Sequence, residues 1–189
     1  GKKHHENNKN VIISVIDCSF SARNENLKKA APIFEKKIAE TIDVLYQKGF
    51  TVTLLNSNTE QDKPACQRIL KMVGSHDVSV VDYDGNLDSI FDLYKNSSFV
   101  IGTRLHTIIL GWLYSMPVVP IVYDIKVSNL LNACSYNQNL FDITQLSCVT
   151  GLDIVEALVN NHFVISKDIL EEAQNQFLKL DEVLSGREA

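Results

Sequence analysis

An arginine and a histidine one residue apart follow a short apolar run in Phe99-Val100-Ile101-Gly102-Thr103-Arg104-Leu105-His106. A guanidinium fork grips a carboxylate or a phosphate through two parallel hydrogen bonds, and imidazole is the side-chain class that exchanges a proton most readily near neutral pH. Side by side, they have the make-up of a site that holds an anion and moves a proton next to it. Phe99 to Ile101 reads as a buried strand, Gly102 and Thr103 supply turn and cap chemistry, and Leu105, Ile108, Ile109, Trp112 and Leu113 recur at helical spacing. Arg104 is thereby predicted in the first turn of a helix, where a cation opposes the helix dipole at a cost of about 0.3–1 kcal/mol. A bound anion is the simplest compensation, because the free N–H groups of the helix start favour it as well. Each residue also has a plain alternative: Arg104 as a salt-bridged helix residue, His106 as a core histidine bonded to a carbonyl. Sequence position alone leaves the two readings of Arg104 evenly balanced, whereas the arginine two residues before it favours a site for His106.

The elements that must position this pair follow from hydrophobic patterning. Strand-type runs occur at Val11 to Ile16, Thr51 to Leu55, Val78 to Val81, Phe99 to Gly102 and Val118 to Val122, each separated from the next by a helical pattern. Such alternation predicts an α/β fold: a doubly wound parallel sheet of five or six strands, with Asn139 to Ile143 as the short edge strand. Leu27 to Lys48 is predicted as a helix ended by Gly49, Asp62 as the cap of a second helix running to about Val73, and Leu87 to Lys95 as a third. Val127 to Cys134, Leu152 to Val159 and Ser166 to Leu184 follow as helices, the last with a narrow apolar stripe. Ligands of doubly wound sheets bind at the carboxyl ends of the strands, so three segments should meet on one rim: Asp17 to Asn26, Gly102 to His106, and Tyr123 to Lys126.

Composition narrows the partners. The chain has 189 residues, 45% hydrophobic, enough for one core and too short for two ordinary domains. Net charge is -5 and the 18 basic residues are dispersed, so no nucleic-acid partner is expected. Cys18, Cys66, Cys134 and Cys148 lie far apart, which fits reduced, mostly buried thiols and a cytoplasmic setting. Ile108 to Tyr123, the longest apolar stretch, is broken by Pro117 and Pro120 and falls short of the ~20 residues of a membrane span, so no insertion is expected. Residues 1–10 form a polar arm, read as disordered, and residues 11–189 form the domain. Asp82-Tyr83-Asp84-Gly85-Asn86 lacks the spacing and closing Glu of a calcium loop and reads as a turn, so no metal site is expected.

At its motif residues the chain resembles the polysaccharide pyruvyl transferase family. The likeness rests on strand-Gly102-Thr103-Arg104-Leu105-His106-helix, then Ser115-Met116-Pro117 as a small-x-Pro turn, then Tyr123-Asp124-Ile125-Lys126 after the next strand. Order of elements extends it over about Val11 to Leu184. The resemblance implies a C-terminal Rossmann-like domain, one half of a glycosyltransferase-B-like enzyme whose N-terminal domain is missing from these 189 residues. It also implies transfer of a pyruvyl unit from phosphoenolpyruvate to two hydroxyls of a sugar or lipid-linked glycan as a ketal, with phosphoenolpyruvate as donor substrate and no cofactor. His106 then matches the catalytic position, and Gly102, Thr103, Arg104 and Lys126 the donor-binding positions. Many members end the first strand with Ser-x-Arg, whereas here Ser14-Val15 leads into Ile16-Asp17 and the next arginine is Arg23. Either Arg23 reaches back from its loop or the anion is handled differently.

Two other functions fit the same residues. A nucleotide-sugar glycosyltransferase or epimerase half would use the helix start for a diphosphate, and a non-catalytic Rossmann-like interaction module would bind no anion at all. On the transferase reading, the domain by itself is expected to be inactive, because orienting acceptor hydroxyls is left to the other domain.

Overall fold

The computed structural model describes residues 9–166 other than 75 and 164. Six parallel strands, β1 (Asn10–Ser14), β2 (Thr51–Asn56), β3 (Val78–Asp82), β4 (Phe99–Gly102), β5 (Val118–Val122) and β6 (Phe141–Asp142), form one sheet in the order β3-β2-β1-β4-β5-β6. This is a Rossmann-like arrangement, and the chain reverses its direction of travel across the sheet between β1 and β4. β1, β2, β4 and β5 are buried almost throughout, which is why they read as continuous apolar runs rather than alternating ones.

Helices cover both faces. On one side α1 (Glu25–Gln47) packs against α2 (Thr59–Val73) and α6 (Gly151–Val159). Phe34, Ile38, Ile42 and Leu45 of α1 are fully buried there, each contributing about 1.5–3 kcal/mol of apolar burial. On the other side lie α3 (Leu87–Lys95), α4 (Leu105–Leu113) and α5 (Ile125–Ala133), around Tyr94, Ile108, Trp112 and Leu131. Trp112 and Phe34 are core residues, as their spacing predicts.

Local chemistry sets the ends. Asn24 accepts the Leu27 N–H to start α1, and the chain leaves it through Gly49 at φ 76°, with the Gly49 and Phe50 N–H groups bonded to the Tyr46 and Leu45 carbonyls. α6 starts on a capping box of Thr150 and Asp153. Its Gly151 lies so close to α1 that a Cβ would stand 2.6 Å from the Glu40 carbonyl carbon. Ser115 takes φ 57°, a left-handed backbone usually given to glycine, and so turns α4 back into β5 ahead of Pro117.

Two boundaries differ from expectation. Asn58, not Asp62, caps α2, so Pro64 falls in its second turn. β1 begins at Asn10 and already pairs with Thr51, which takes the last position of the expected arm into the sheet. The remaining arm, residues 1–8, and the C-terminal helix expected over 166–184, but for its first residue, lie outside the described residues. Asp84 to Asn86 forms the expected turn, with Asp84 accepting the Asn86 N–H.

All four cysteines are free, with Cys18, Cys66 and Cys134 buried and Cys148 exposed. Burial pushes the Cys18 and Cys66 thiols up to about 12 and raises Cys134 as well. Alkylation of the folded protein at pH 7.5 is therefore expected to label Cys148 alone, with the other three reacting only after unfolding. Intact-mass measurement tests this, and rapid labelling of a second thiol would show that a core face opens.

No helix among the described residues is long and apolar enough to cross a membrane.

Candidate functional site

The carboxyl ends of β1, β4 and β5 carry the three segments picked out by the sequence. β4 is fastened to β1 by Ser14, the lone hydroxyl of that strand. Its Oγ accepts the N–H groups of Thr103 at 2.8 Å and Arg104 at 3.3 Å, while Thr103 Oγ1 donates to the Ser14 carbonyl at 2.9 Å. Both residues are fully buried. The Thr103 hydroxyl is thus engaged in holding the turn. Gly102 is required by close approach, because a Cβ there would lie 2.7 Å from Cγ1 of Ile108 as α4 folds back over the strand.

Arg104 is the N-cap of α4 rather than a residue of its first turn. Its backbone is extended (φ -89°, ψ 137°), its side chain makes no capping bond, and its carbonyl accepts the Ile108 N–H. The guanidinium turns toward α2: Nε donates to Asp62 Oδ2 at 3.0 Å, and Nη2 donates to the same oxygen. Asp62 has no solvent exposure, and its other oxygen, Oδ1, accepts the Asp17 N–H at 2.9 Å. So the carboxylate that compensates the cation is the chain's own. Sequence reasoning places Asp62 at a helix cap because nothing local reveals a partner 42 positions away.

Asp17 belongs to a second charge cluster. Arg68 of α2 grips Glu35 of α1 with Nε at 3.1 and 3.0 Å and Nη2 at 2.8 Å, and Nη2 also reaches Asp17 Oδ1 at 2.9 Å and Ser19 Oγ at 3.1 Å. Asp17 and Glu35 are each 4% exposed. The hydrogen bond to Glu35, followed by that to Asp17, holds the Arg68 guanidinium even further above its ordinary range. This cluster fixes the start of the loop that leads to Arg23.

Among the described residues Arg23 pairs with no such carboxylate. Its guanidinium carbon lies 5.3 Å from the centroid of the Tyr123 ring, while Nε and Nη2 are buried with no hydrogen-bond partner among the described residues. Tyr123 follows β5, so this contact joins the loop after β1 to the carboxyl end of β5.

His106 is exposed in the first turn of α4. Lys126 is exposed in the first turn of α5, where Asp124 accepts its N–H at 2.7 Å. The structure thus brings Arg23 to Tyr123, ties Thr103 and Arg104 to Ser14 and Asp62, and sets His106 and Lys126 at the starts of neighbouring helices on the same rim. Ser14, Asp62 and Arg68 are additions that sequence reasoning did not single out. Ser14 alone left a signal, as the one hydroxyl in Val11 to Ile16. Among the described residues, no three His, Cys, Asp or Glu side chains cluster to hold a metal ion.

A family model described as polysaccharide pyruvyl transferase matches residues 2–125 of the 189. That span contains β1 through β5, Arg23, Asp62 and the whole Gly102 to His106 segment, and stops just before Lys126. No curated protein matches the chain significantly.

Proposed function

Because the chain belongs to the polysaccharide pyruvyl transferase family, we propose that this rim binds phosphoenolpyruvate and serves transfer of its pyruvyl unit to sugar hydroxyls of a cell-surface polysaccharide. The observation that carries the reading is the Arg23 guanidinium, whose buried Nε and Nη2 have no hydrogen-bond partner among the described residues. Those are the two atoms with which Arg68 holds Glu35 and Arg104 holds Asp62. A buried donor pair without an acceptor is costly, and a carboxylate or phosphate of the donor would complete it. Free N–H groups at the start of α4 would take a second anionic group, and Lys126, exposed in the first turn of α5, would add charge.

Chemistry follows from the donor. A proton is delivered to the methylene carbon of phosphoenolpyruvate, the adjacent carbon becomes electron-poor, and a sugar oxygen bonds to it as that hydroxyl loses its proton. A second hydroxyl then displaces phosphate, giving a cyclic ketal and inorganic phosphate. His106, exposed beside the bound donor, is the acid or base for these proton movements. The acceptor is held mainly by a second domain facing this one across a cleft, so residues 1–189 bind the donor but make no ketal alone. Four free cysteines go with a cytoplasmic setting for the work.

Calorimetric titration tests the reading. Phosphoenolpyruvate should bind more tightly than inorganic phosphate, and Arg23→Ala should weaken it about 10- to 100-fold, the loss of charge-assisted hydrogen bonds worth roughly 1.5–3 kcal/mol. An unchanged affinity in Arg23→Ala, or no preference over phosphate, would overturn the assignment.

A further inference from the structure

We infer that Asp62 is a positioning residue for Arg104: a buried carboxylate that sets which edge of the guanidinium faces the donor anion. The inference rests on the phosphoenolpyruvate reading above. Arg104 spends its Nε and Nη2 on a single oxygen, Asp62 Oδ2, leaving Nη1 outside these bonds. Asp62 Oδ1 is held in turn by the Asp17 backbone N–H. One carboxylate thereby ties the β4–α4 junction to the loop that carries Arg23, and both of its oxygens are used.

A charge pair of this kind has two opposite uses. Asp62 could compete with the donor and release Arg104 when the donor arrives, or it could stay in place and aim the guanidinium. Burial decides between them. Asp62 is 0% exposed, and the Arg104 side chain is 18% exposed. Releasing Arg104 would leave a carboxylate buried without its counter-charge, among the most destabilising changes a protein can suffer, and would do so while a further anion came close. The pair therefore stays closed during binding. Arg104 then offers its remaining N–H groups in a fixed direction and brings almost no net charge. Most of the donor's charge falls to Arg23 and to the start of α4. Asp62 belongs to the first turn of α2.

Asp62→Asn separates the two tasks of the carboxylate. An amide oxygen can still accept the Asp17 N–H, but the amide nitrogen confronts the Arg104 donors and cannot hold them. Binding of phosphoenolpyruvate is expected to weaken about tenfold in Asp62→Asn, and by less than about twofold when the same change is made in Arg104→Ala, since a residue acting through another gives a non-additive cycle. Steady-state assays of the complete transferase should show the loss in KM, with kcat within about twofold. Tighter binding in Asp62→Asn would identify a competitor and overturn the proposal, as would equal losses in both backgrounds or no loss at all. A second measurement guards against a variant that folds poorly and against failure of the donor reading. In nitrogen-15 NMR, Arg104 Nε–H should be a slowly exchanging signal in the parent protein and be lost from that state in Asp62→Asn. If the parent binds no phosphoenolpyruvate, the donor reading falls. The positioning claim then stands or falls with that signal, an unchanged signal in Asp62→Asn refuting it.

Discussion

Replacing His106 with alanine is expected to lower turnover of the complete transferase by about 10²–10⁴-fold, the usual contribution of a placed acid or base. Donor affinity should change far less, because the proposed reading assigns the anion to Arg23, Arg104 and the backbone of α4 rather than to the imidazole. Thermal stability should hardly move, since His106 is exposed and leaves no cavity when truncated. Single-turnover measurements with saturating phosphoenolpyruvate isolate the chemical step, and normal turnover there would remove His106 from the mechanism. Its place supports the assignment: the Arg104 N-cap is fixed from below by Ser14 and sideways by Asp62, so the following turn of α4 has a defined start.

The second large effect concerns stability. Arg68→Met removes the only cation bonded to both Asp17 and Glu35 among the described residues, leaving two buried carboxylates facing each other. Breaking a fully buried pair costs about 3–5 kcal/mol, but the Arg68 side chain is 37% exposed and water can reach it, so a loss of about 2–3 kcal/mol is expected. For a chain of this size that is a fall in Tm of roughly 5–10 °C. Adding Glu35→Gln should recover part of it by removing one of the stranded charges. A melting curve that does not shift would mean that the cluster contributes nothing to holding the loop after β1.

Much of this architecture is legible in the amino-acid order, for a physical reason. Strands buried on both faces must be apolar throughout, and so β4 and β5 coincide with the runs Phe99 to Gly102 and Val118 to Val122. α3 spans Leu87 to Lys95 as its pattern predicts. Ends decided by a side chain rather than by a pattern are less legible. Asn58 and Asp62 are both capping residues four positions apart, and only the distant demand of Arg104 for a counter-charge settles which one caps. The same holds for the site. Arg104 and His106 stand out because only Leu105 separates them in the chain, whereas Asp62, Arg68 and the contact of Arg23 with Tyr123 depend on where β1, β2, β4 and β5 fall in the sheet. The cation at the helix start does need an anion, as the dipole argument requires, but the chain supplies that anion from α2.

The Ser14 bonds carry a consequence for synthesis. Thr103 and Arg104 follow their partner by 89 and 90 positions, so at about 5–20 residues per second a ribosome takes roughly 5–20 s to deliver them after Ser14. Until then β1, a strand at the middle of the finished sheet, has β2 on one side and nothing on the other. Its open side is an apolar template to which a strand of another nascent chain can add. Expression of a fragment ending before Phe99 would make that interval permanent, and the yield of soluble protein should fall abruptly at that boundary rather than decline with length.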